Sequence, residues 1–518
     1  MRPCVLVGPA TALALAAALG ALGCGSGEPR PGDDRGRCLL NPHPLPTRPA
    51  ASAPTLPFLH VEGTDILDES GARVALRGVN FGSWLQVESW INGIGVVQGD
   101  DLLQQFRDRA SQLGIADLAE RALAPHLFDL LGNKVGERVI IEQARIDSYT
   151  LATKEQKRAL DELWAWFDTI PWIFDEQSLW DYLWGRFGRE RAAALRASLV
   201  AHWITEEDAR RVAELGLNFV RIPLWYQALD DEQLPVPAWR IEGWDQLHDV
   251  LEWARRYQLY VLLDMHGAPG GQSAADHVGI PDGNYLWSTP ACVDKTAALW
   301  QGLATWFADD PHVLGYDLLN EPMGAPDAAS YRDVHDALYR AIRAVDVRHI
   351  VWIEHGYLAS DLRVAPAEMG WENAAYQVHI YVDATSAEEY ETRFVAELLD
   401  IASDHDRYGC PLFIGEFSTA TGEAWGADGF GRVFGRMNAA GIHWAPWTWK
   451  YREPGNTWGL LTPPAPTVVD VAAASFEEVK AAFESFDTSG YVANAEYEAR
   501  LAEHAAAPAQ PLDFGVLR

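Results

Sequence analysis

The chain has 518 residues, of which 48% are hydrophobic and 22% carry a charge, so it is long enough to bury a large core. Lys and Arg number 41 against 73 Asp and Glu, which gives a formal net charge of -32. A surface this acidic repels a phosphate backbone, and this excludes nucleic acid as an expected partner.

Residues 1–24 have the features of a secretory signal. Arg2 precedes an apolar run over residues 11–22, and small residues lead to Cys24. The run ALGC at residues 21–24 resembles a bacterial lipobox, with Ala where Leu is commonest. We therefore expect an exported protein. Two alternatives stay open, a lipid at Cys24 that attaches the chain to a membrane and simple secretion.

Residues 25–57 predict a flexible linker, because Pro, Gly and small residues supply too little apolar surface to fold. A folded domain is expected over residues 58–518. The cysteines Cys38, Cys292 and Cys410 are too widely spaced for a zinc site. A disulfide between Cys292 and Cys410 is a candidate pairing in an oxidising compartment.

From residue 58 onward, short apolar runs alternate with helical patterns, which is typical of parallel βαβ units. Eight runs predict strands, at Val74–Asn80, Asn218–Pro223, Tyr260–His266, Leu314–Asn320, His349–Glu354, Tyr376–Tyr381, Pro411–Glu416 and Ile442–Trp447. Eight is the number of strands in an α/β TIM barrel, (β/α)8.

Two further segments extend this predicted barrel. Residues 60–76 favour a hairpin turning at residues 69–71 that closes the N-terminal end of the barrel. Residues 95–202 predict a long helical insertion after the first strand. We interpret the insertion as a helical subdomain packed on the barrel, in preference to a substrate platform.

Polar and aromatic residues cluster where the predicted strands end. They are Arg221, Asp264, His266, Asn320, Glu321, His379, Tyr381, Glu416, Trp447 and Trp449. Catalytic groups of such barrels lie at the C-terminal ends of the strands, so these side chains are expected to converge on one cleft. A lone strand-end Glu is more often solvated or salt-bridged. Two of them in one cleft form the carboxyl pair that glycoside hydrolysis needs.

Ordered segments between residues 76 and 450 resemble glycoside hydrolase family 5, and especially its exo-β-1,3-glucanase branch. They read LRGVNFGSWLQVESW, WITEEDARRVAELGLNFVRIP, LLDMHGAPGGQS, LLNEP, VHIY, IGEF and WTWK. The resemblance implies an acid/base role for Glu321 of NEP and a nucleophilic role for Glu416 of GEF. It also implies a substrate-binding shell of Glu88, Arg221, His266, Asn320, His379, Tyr381 and Trp447, with Trp449 as a competing assignment for the strand-eight aromatic residue.

The function implied by this resemblance is that of a retaining β-glycosidase acting on glucans or oligoglucosides. This chemistry requires no metal and no organic cofactor. The insertion and the sequence GQSAADHVG after Gly270 differ from the glucanase branch, and both are expected to lie in loops that shape the cleft. Linkage and exo or endo action therefore stay open. The alternatives are an endo-β-1,4-glucanase, a glycolipid-directed β-glycosidase, a transglycosylase and, least favoured, a non-catalytic carbohydrate-binding protein.

Overall fold

The computed structural model describes residues 38–96, 102–127, 137–171, 173, 175–280, 284–354 and 364–518. These residues divide into two compact units. The smaller unit contains residues 94–173 and 468–475, and the larger contains residues 38–93, 174–467 and 476–518. The predicted signal, including Cys24, and the first part of the predicted linker lie outside the described residues.

Among the described residues of the larger unit, eight parallel strands form one sheet, and each strand pairs with the next along the chain. They are β1 (Gly78–Asn80), β2 (Phe219–Trp225), β3 (Tyr260–Gly267), β4 (Val313–Asp317), β5 (Ile350–Glu354), β6 (Ala374–Ile380), β7 (Leu412–Phe417) and β8 (His443–Trp444). A parallel bridge between Arg77 and Trp444 connects the last strand to the first, which closes the barrel. The predicted TIM barrel is confirmed, with shifts at the strand ends.

The barrel strands are mostly apolar and fully buried because helices cover their outer faces, and the few polar residues of β2, β3 and β7 belong to the site described below. Every residue of β2 and β3 is buried, as expected for parallel strands that have no solvated face. The helices of the larger unit are Ser89–Asn92, Glu176–Phe187, Arg189–Trp203, Glu206–Glu214, Ile241–Tyr257, Pro290–Phe307, Ala328–Arg343, Pro366–Met369, Ala387–His405, Trp425–Ala439, Phe476–Glu484 and Ala495–Ala505. Short two-residue strands pair Asp230–Asp231 with Ala238–Trp239 and Leu461–Thr462 with Val492–Ala493.

A hairpin closes the N-terminal end of the barrel. Strands Leu59–Glu62 and Asp65–Asp68 pair antiparallel and turn at Gly63. A second turn over residues 68–72 leads to an antiparallel bridge between Leu67 and Arg73. The turn predicted at residues 69–71 is therefore the second of two. Leu59 and Ile66 of the hairpin belong to one buried cluster with residues at the starts of the barrel strands.

The smaller unit is helical and has its own core. Its helices are Leu102–Gln112, Ala116–Leu123, Glu137–Leu151 and Lys157–Phe167, and a short strand pair joins Ile94–Gly95 to Val469–Asp470. Phe106, Trp164 and Phe167 pack ring against ring inside it, with centroids 5.2 to 5.6 Å apart.

The predicted insertion over residues 95–202 is divided between the two units. Helices Glu176–Phe187 and Arg189–Trp203 belong to the larger unit with the barrel. Glu176 connects the first of these helices to the rest of the larger unit, because its Oε2 accepts a hydrogen bond from the backbone N–H of Val87 at 2.7 Å. Within the described ranges, no helix is both long and apolar enough to cross a bilayer.

The described part of the predicted linker lies against the barrel. Cys38 forms a disulfide with Cys292, and Cys410 is free and buried, so the expected Cys292–Cys410 pairing is wrong. Arg48 forms an ion pair with Asp310. Residues 38–57 contain no helix or strand. Side-chain contacts and a covalent bond hold this segment, which has too few apolar residues to fold alone.

Candidate active site

Two buried glutamates face each other at the C-terminal ends of the barrel strands. Glu416 lies on β7, and Glu321 follows β4 after three intervening residues. Three atoms lie within 4.8 Å of one another: one carboxylate oxygen of Glu321, one of Glu416 and a ring nitrogen of His379. Glu321 has a φ of 41°, in the left-handed region that costs a non-glycine residue about 1 kcal/mol or more. Its backbone N–H donates to Oε2 of Glu354 at 2.6 Å, which helps to hold this turn.

Both carboxylate oxygens of Glu416 accept a hydrogen bond. Nη1 of Arg221 donates to Oε1 at 2.7 Å, and the hydroxyl of Tyr381 donates to Oε2 at 2.9 Å. Burial raises the pKa of Glu416, while His379 and Arg221 act in the opposite direction. The two donors stabilise the ionised form of this carboxyl group.

Arg221 is the centre of a buried polar network. Its guanidinium donates to Asp317 at 2.8 Å and to Asn320 at 2.9 Å, and it lies 3.1 Å from Asp264. Burial opposes the charged form, but Asp264, Asp317 and Glu416 outweigh it and raise the pKa of Arg221 above its ordinary value. The Arg221 side chain on β2 therefore contacts residues of β3, β4 and β7 at the site.

The carboxyl group of Glu321 lies between two histidines. Nδ1 of His379 is 2.9 Å from Oε1, and Nδ1 of His277 is 3.6 Å from Oε2. Burial raises the pKa of Glu321, and His277 and Arg221 oppose that effect. Among the residues that the structure describes, no guanidinium contacts Glu321 as Arg221 contacts Glu416. The two carboxyl groups therefore differ in their hydrogen-bond donors, a guanidinium and a hydroxyl at Glu416 and histidine rings at Glu321.

One wall of the cleft is aromatic. The ring of Trp447 stacks on His266, with centroids 5.3 Å apart and ring planes at 11°. His266 is oriented by Asp264, whose Oδ2 lies 2.7 Å from Nδ1. Glu88 faces the same histidine, with Oε1 3.9 Å from Nε2.

The structure brings together most of the residues predicted from the sequence, and it separates the two tryptophans. The indole N–H of Trp449 donates to Oδ1 of the buried Asp208 at 2.7 Å, and its ring packs near Phe81. Trp447 is the member of the pair that contacts the polar cluster through His266.

The sequence predictions missed three residues at the site, His277, Glu354 and Gln272. The side chain of Gln272 donates to the backbone carbonyls of His266 and Asn320, both at 2.7 Å, and so ties the loop after β3 to the end of β4. His277 lies in the segment GQSAADHVG, whose departure from the glucanase pattern is a signal that could have identified it, whereas Gln272 also lies in the segment LLDMHGAPGGQS, which resembles the family.

Comparisons with known proteins agree with this architecture. The sequence profile described as Cellulase (glycosyl hydrolase family 5) matches residues 191–453, which is half of the chain. A beta-xylosidase from Phanerodontia chrysosporium is 26% identical over 62% of this chain and 52% of its own length. A probable glucan 1,3-beta-glucosidase A from Emericella nidulans is 31% identical over 48% of this chain and 64% of its own length.

Among solved structures, a beta-glucanase from Saccharophagus degradans aligns with 86% of this chain and 97% of its own chain, with 15% identity and a TM-score of 0.45. The alignments to the two relatives above span between half and just under two thirds of those proteins. The profile match covers the barrel from β2 to β8 together with both glutamates. The chain belongs to the cellulase family, glycosyl hydrolase family 5.

Proposed function

We propose that the protein is a retaining β-glycosidase in which Glu416 is the nucleophile and Glu321 the acid/base. The observation that supports this most directly is the approach of the two carboxyl groups, whose oxygens lie within 4.8 Å. Retaining glycosidases place these groups about 5 to 5.5 Å apart, whereas inverting enzymes need about 6.5 to 9.5 Å to admit a water molecule. At the shorter spacing one carboxylate attacks the sugar itself.

The surroundings of each glutamate support this division of roles. Glu416 accepts hydrogen bonds from Arg221 and Tyr381, which favour the charged form that a nucleophile requires. Burial raises the pKa of both carboxyl groups, but only Glu416 is paired with a guanidinium among the described residues. Glu321 is therefore the better candidate for a general acid, which must hold its proton at the working pH. Asn320, next to the acid, is positioned by Arg221 and is suited to bind the sugar 2-hydroxyl.

The reaction proceeds in two displacements. In the first, Glu416 attacks the anomeric carbon while Glu321 donates its proton to the departing glycosidic oxygen. In the second, Glu321 accepts a proton from a water molecule that attacks the same carbon and releases Glu416. Each displacement inverts the anomeric centre, so the product retains the β configuration.

The proposed substrate is a β-linked glucan or oligoglucoside, with 1,3 linkages preferred to 1,4. Several relatives are named glucan 1,3-beta-glucosidase, and Glu88 lies 3.9 Å from His266 of the candidate site. Relative kcat/KM on laminari-, cello- and xylo-oligosaccharides tests this choice. A preference for xylan or mannan would overturn it. Sugar release from a glycolipid would favour a glycolipid-directed β-glycosidase. Transfer products at high substrate concentration would favour a transglycosylase.

We also propose export. The Cys38–Cys292 disulfide is consistent with an oxidising compartment, where such bonds persist. The lipid at Cys24 is tested by Cys24→Ala, which is expected to release the protein from membranes. If the variant fractionates as the native protein does, lipid anchoring is contradicted and export is unaffected.

Azide rescue tests the two roles separately. Glu416→Ala is expected to lose orders of magnitude in rate on every substrate, and azide then gives an α-glycosyl azide. Glu321→Ala is expected to form the intermediate from an aryl glycoside with a good leaving group, because little protonation is needed, and azide then gives a β-glycosyl azide. Azides of the opposite configurations contradict the assignment.

A further inference from the structure

His277 is a buried histidine beside the carboxyl group of Glu321, and the reaction described above gives it no role. Its Nδ1 is 3.6 Å from Oε2 of Glu321, whereas His379 occupies the opposite side of the carboxyl group at Oε1. Hydrogen bonds between catalytic groups are often long in a protein without substrate and shorten in the complex. The geometry therefore places His277 within reach of the oxygen that His379 leaves open.

The loop that carries His277 is held on two sides. His277 lies in a single 3-10 turn, Asp276–Val278. The backbone N–H of Gln177, on helix Glu176–Phe187, donates to the carbonyl of Gly279 at 2.9 Å. On the other side, Gln272 ties the beginning of the loop to the end of β4. These contacts fix the position of the His277 ring relative to Glu321.

Burial and one neighbouring hydroxyl define the protonation state and tautomer of the His277 ring. Burial lowers the pKa of His277 to about 4, so the ring is neutral at the pH where an acid/base glutamate operates. The hydroxyl of Ser273 lies 3.5 Å from Nε2. A hydroxyl that donates to Nε2 favours the tautomer with its proton on Nδ1, which faces Glu321.

We propose that His277 is a positioning residue for the acid/base, and that its Nδ1–H holds Oε2 of Glu321 and stabilises the carboxylate formed when the proton leaves. This inference rests on the proposed function. In the first displacement the proton of Glu321 passes to the glycosidic oxygen, and in the second a proton returns from water. His277 keeps its own proton throughout.

Several charged or titratable groups face this carboxyl group besides His277. They are Arg221 on β2, Asp264 on β3, Glu354 on β5, His379 on β6, Glu416 on β7, and Glu88 and Asp276 on loops. All of them are unchanged in a variant at residue 277. A difference between native and variant protein therefore reports the contribution of His277.

The test is the pH profile of kcat/KM on an aryl β-glycoside. The acid is active when protonated, so the basic limb reports the pKa of Glu321. His277→Leu removes a donor to the charged form, which raises that pKa and moves the basic limb to higher pH by about one unit. His277→Asn presents an amide N–H at the Nδ1 position and is expected to return the limb towards its native position.

A purely structural role predicts a lower rate and a lower Tm with the basic limb unmoved. Ser273→Ala is the second variant, because it removes only the hydroxyl that faces Nε2 and is expected to move the limb in the same direction by less. A limb that stays in place or moves to lower pH in these variants overturns the inference. Azide rescue of Glu321→Ala tests the proposed function independently, so either idea can fail alone.

Discussion

Arg221 and Glu416 form a buried ion pair across the mouth of the barrel, with Nη1 and Oε1 2.7 Å apart and the arginine fully enclosed. The same guanidinium contacts Asp317 and Asn320, of which Asn320 adjoins the proposed acid/base residue Glu321. One planar cation therefore positions Glu416, the proposed nucleophile, and Asn320, the neighbour of the proposed acid/base Glu321. A Lys side chain has a single compact charge and does not reproduce this set of contacts.

Arg221→Lys is expected to lower kcat/KM by about 100-fold, which corresponds to about 2.7 kcal/mol of transition-state stabilisation. Arg221 favours the ionised form of Glu416, so weakening the contact raises the pKa of that carboxyl group. The nucleophile is active when ionised, and the acidic limb of the pH profile therefore moves to higher pH.

Arg73→Lys is the matched control for this variant. Arg73 also forms an ion pair with a carboxylate, that of Asp65, which it contacts through two nitrogens, but its side chain is 36% exposed. Exposed ion pairs contribute about 0 to 1 kcal/mol, so activity and pH profile are expected to remain native. An acidic limb that does not move in Arg221→Lys contradicts the role assigned to this ion pair.

Paired Trp→Phe variants distinguish the two strand-eight tryptophans. Trp447→Phe is expected to lower kcat/KM by about 10-fold with a Tm close to native, because a smaller ring covers less of a bound sugar. Trp449→Phe leaves Oδ1 of the buried Asp208 without its donor. That loss is expected to reduce the free energy of unfolding by about 1 to 3 kcal/mol with little effect on kcat/KM. The reverse pattern would assign the cleft residue to Trp449.

The sequence predicted the barrel and the two glutamates because both depend on local pattern. Buried parallel strands are continuous apolar runs, and a polar residue directly after such a run lies at the strand end. Glu321 and Glu416 each follow a run of this kind. Their approach to within 4.8 Å depends on barrel closure, which only the three-dimensional arrangement provides.

The features that the sequence did not predict depend on contacts between distant segments. His277 reaches Glu321 only because helix Glu176–Phe187 and Gln272 hold its loop. The two tryptophans would share a face if the strand were extended to residue 449, but β8 ends at Trp444. Cys38 lies 254 residues from its partner in the sequence, and no local pattern indicates that pairing.

The Cys38–Cys292 disulfide is expected to stabilise the native state. Changing both cysteines to Ser is expected to lower the free energy of unfolding by about 2 to 4 kcal/mol. A reductant should lower the Tm of the native protein to that of this double variant, in thermal unfolding followed by circular dichroism. Cys410→Ala serves as the control because its thiol is free and buried, and it should retain the effect of the reductant. Loss of that effect in Cys410→Ala would show that Cys410 takes part in the pairing.

Direct attack of Glu416 on the sugar is tested by the configuration of the first product. Proton NMR recorded from the start of hydrolysis of a β-glucoside by the native enzyme follows the anomeric signal before mutarotation mixes the two forms. Two successive displacements predict that the β-anomer appears first. If the α-anomer appears first, a water molecule has attacked in a single step, and the assignment of Glu416 as nucleophile is wrong.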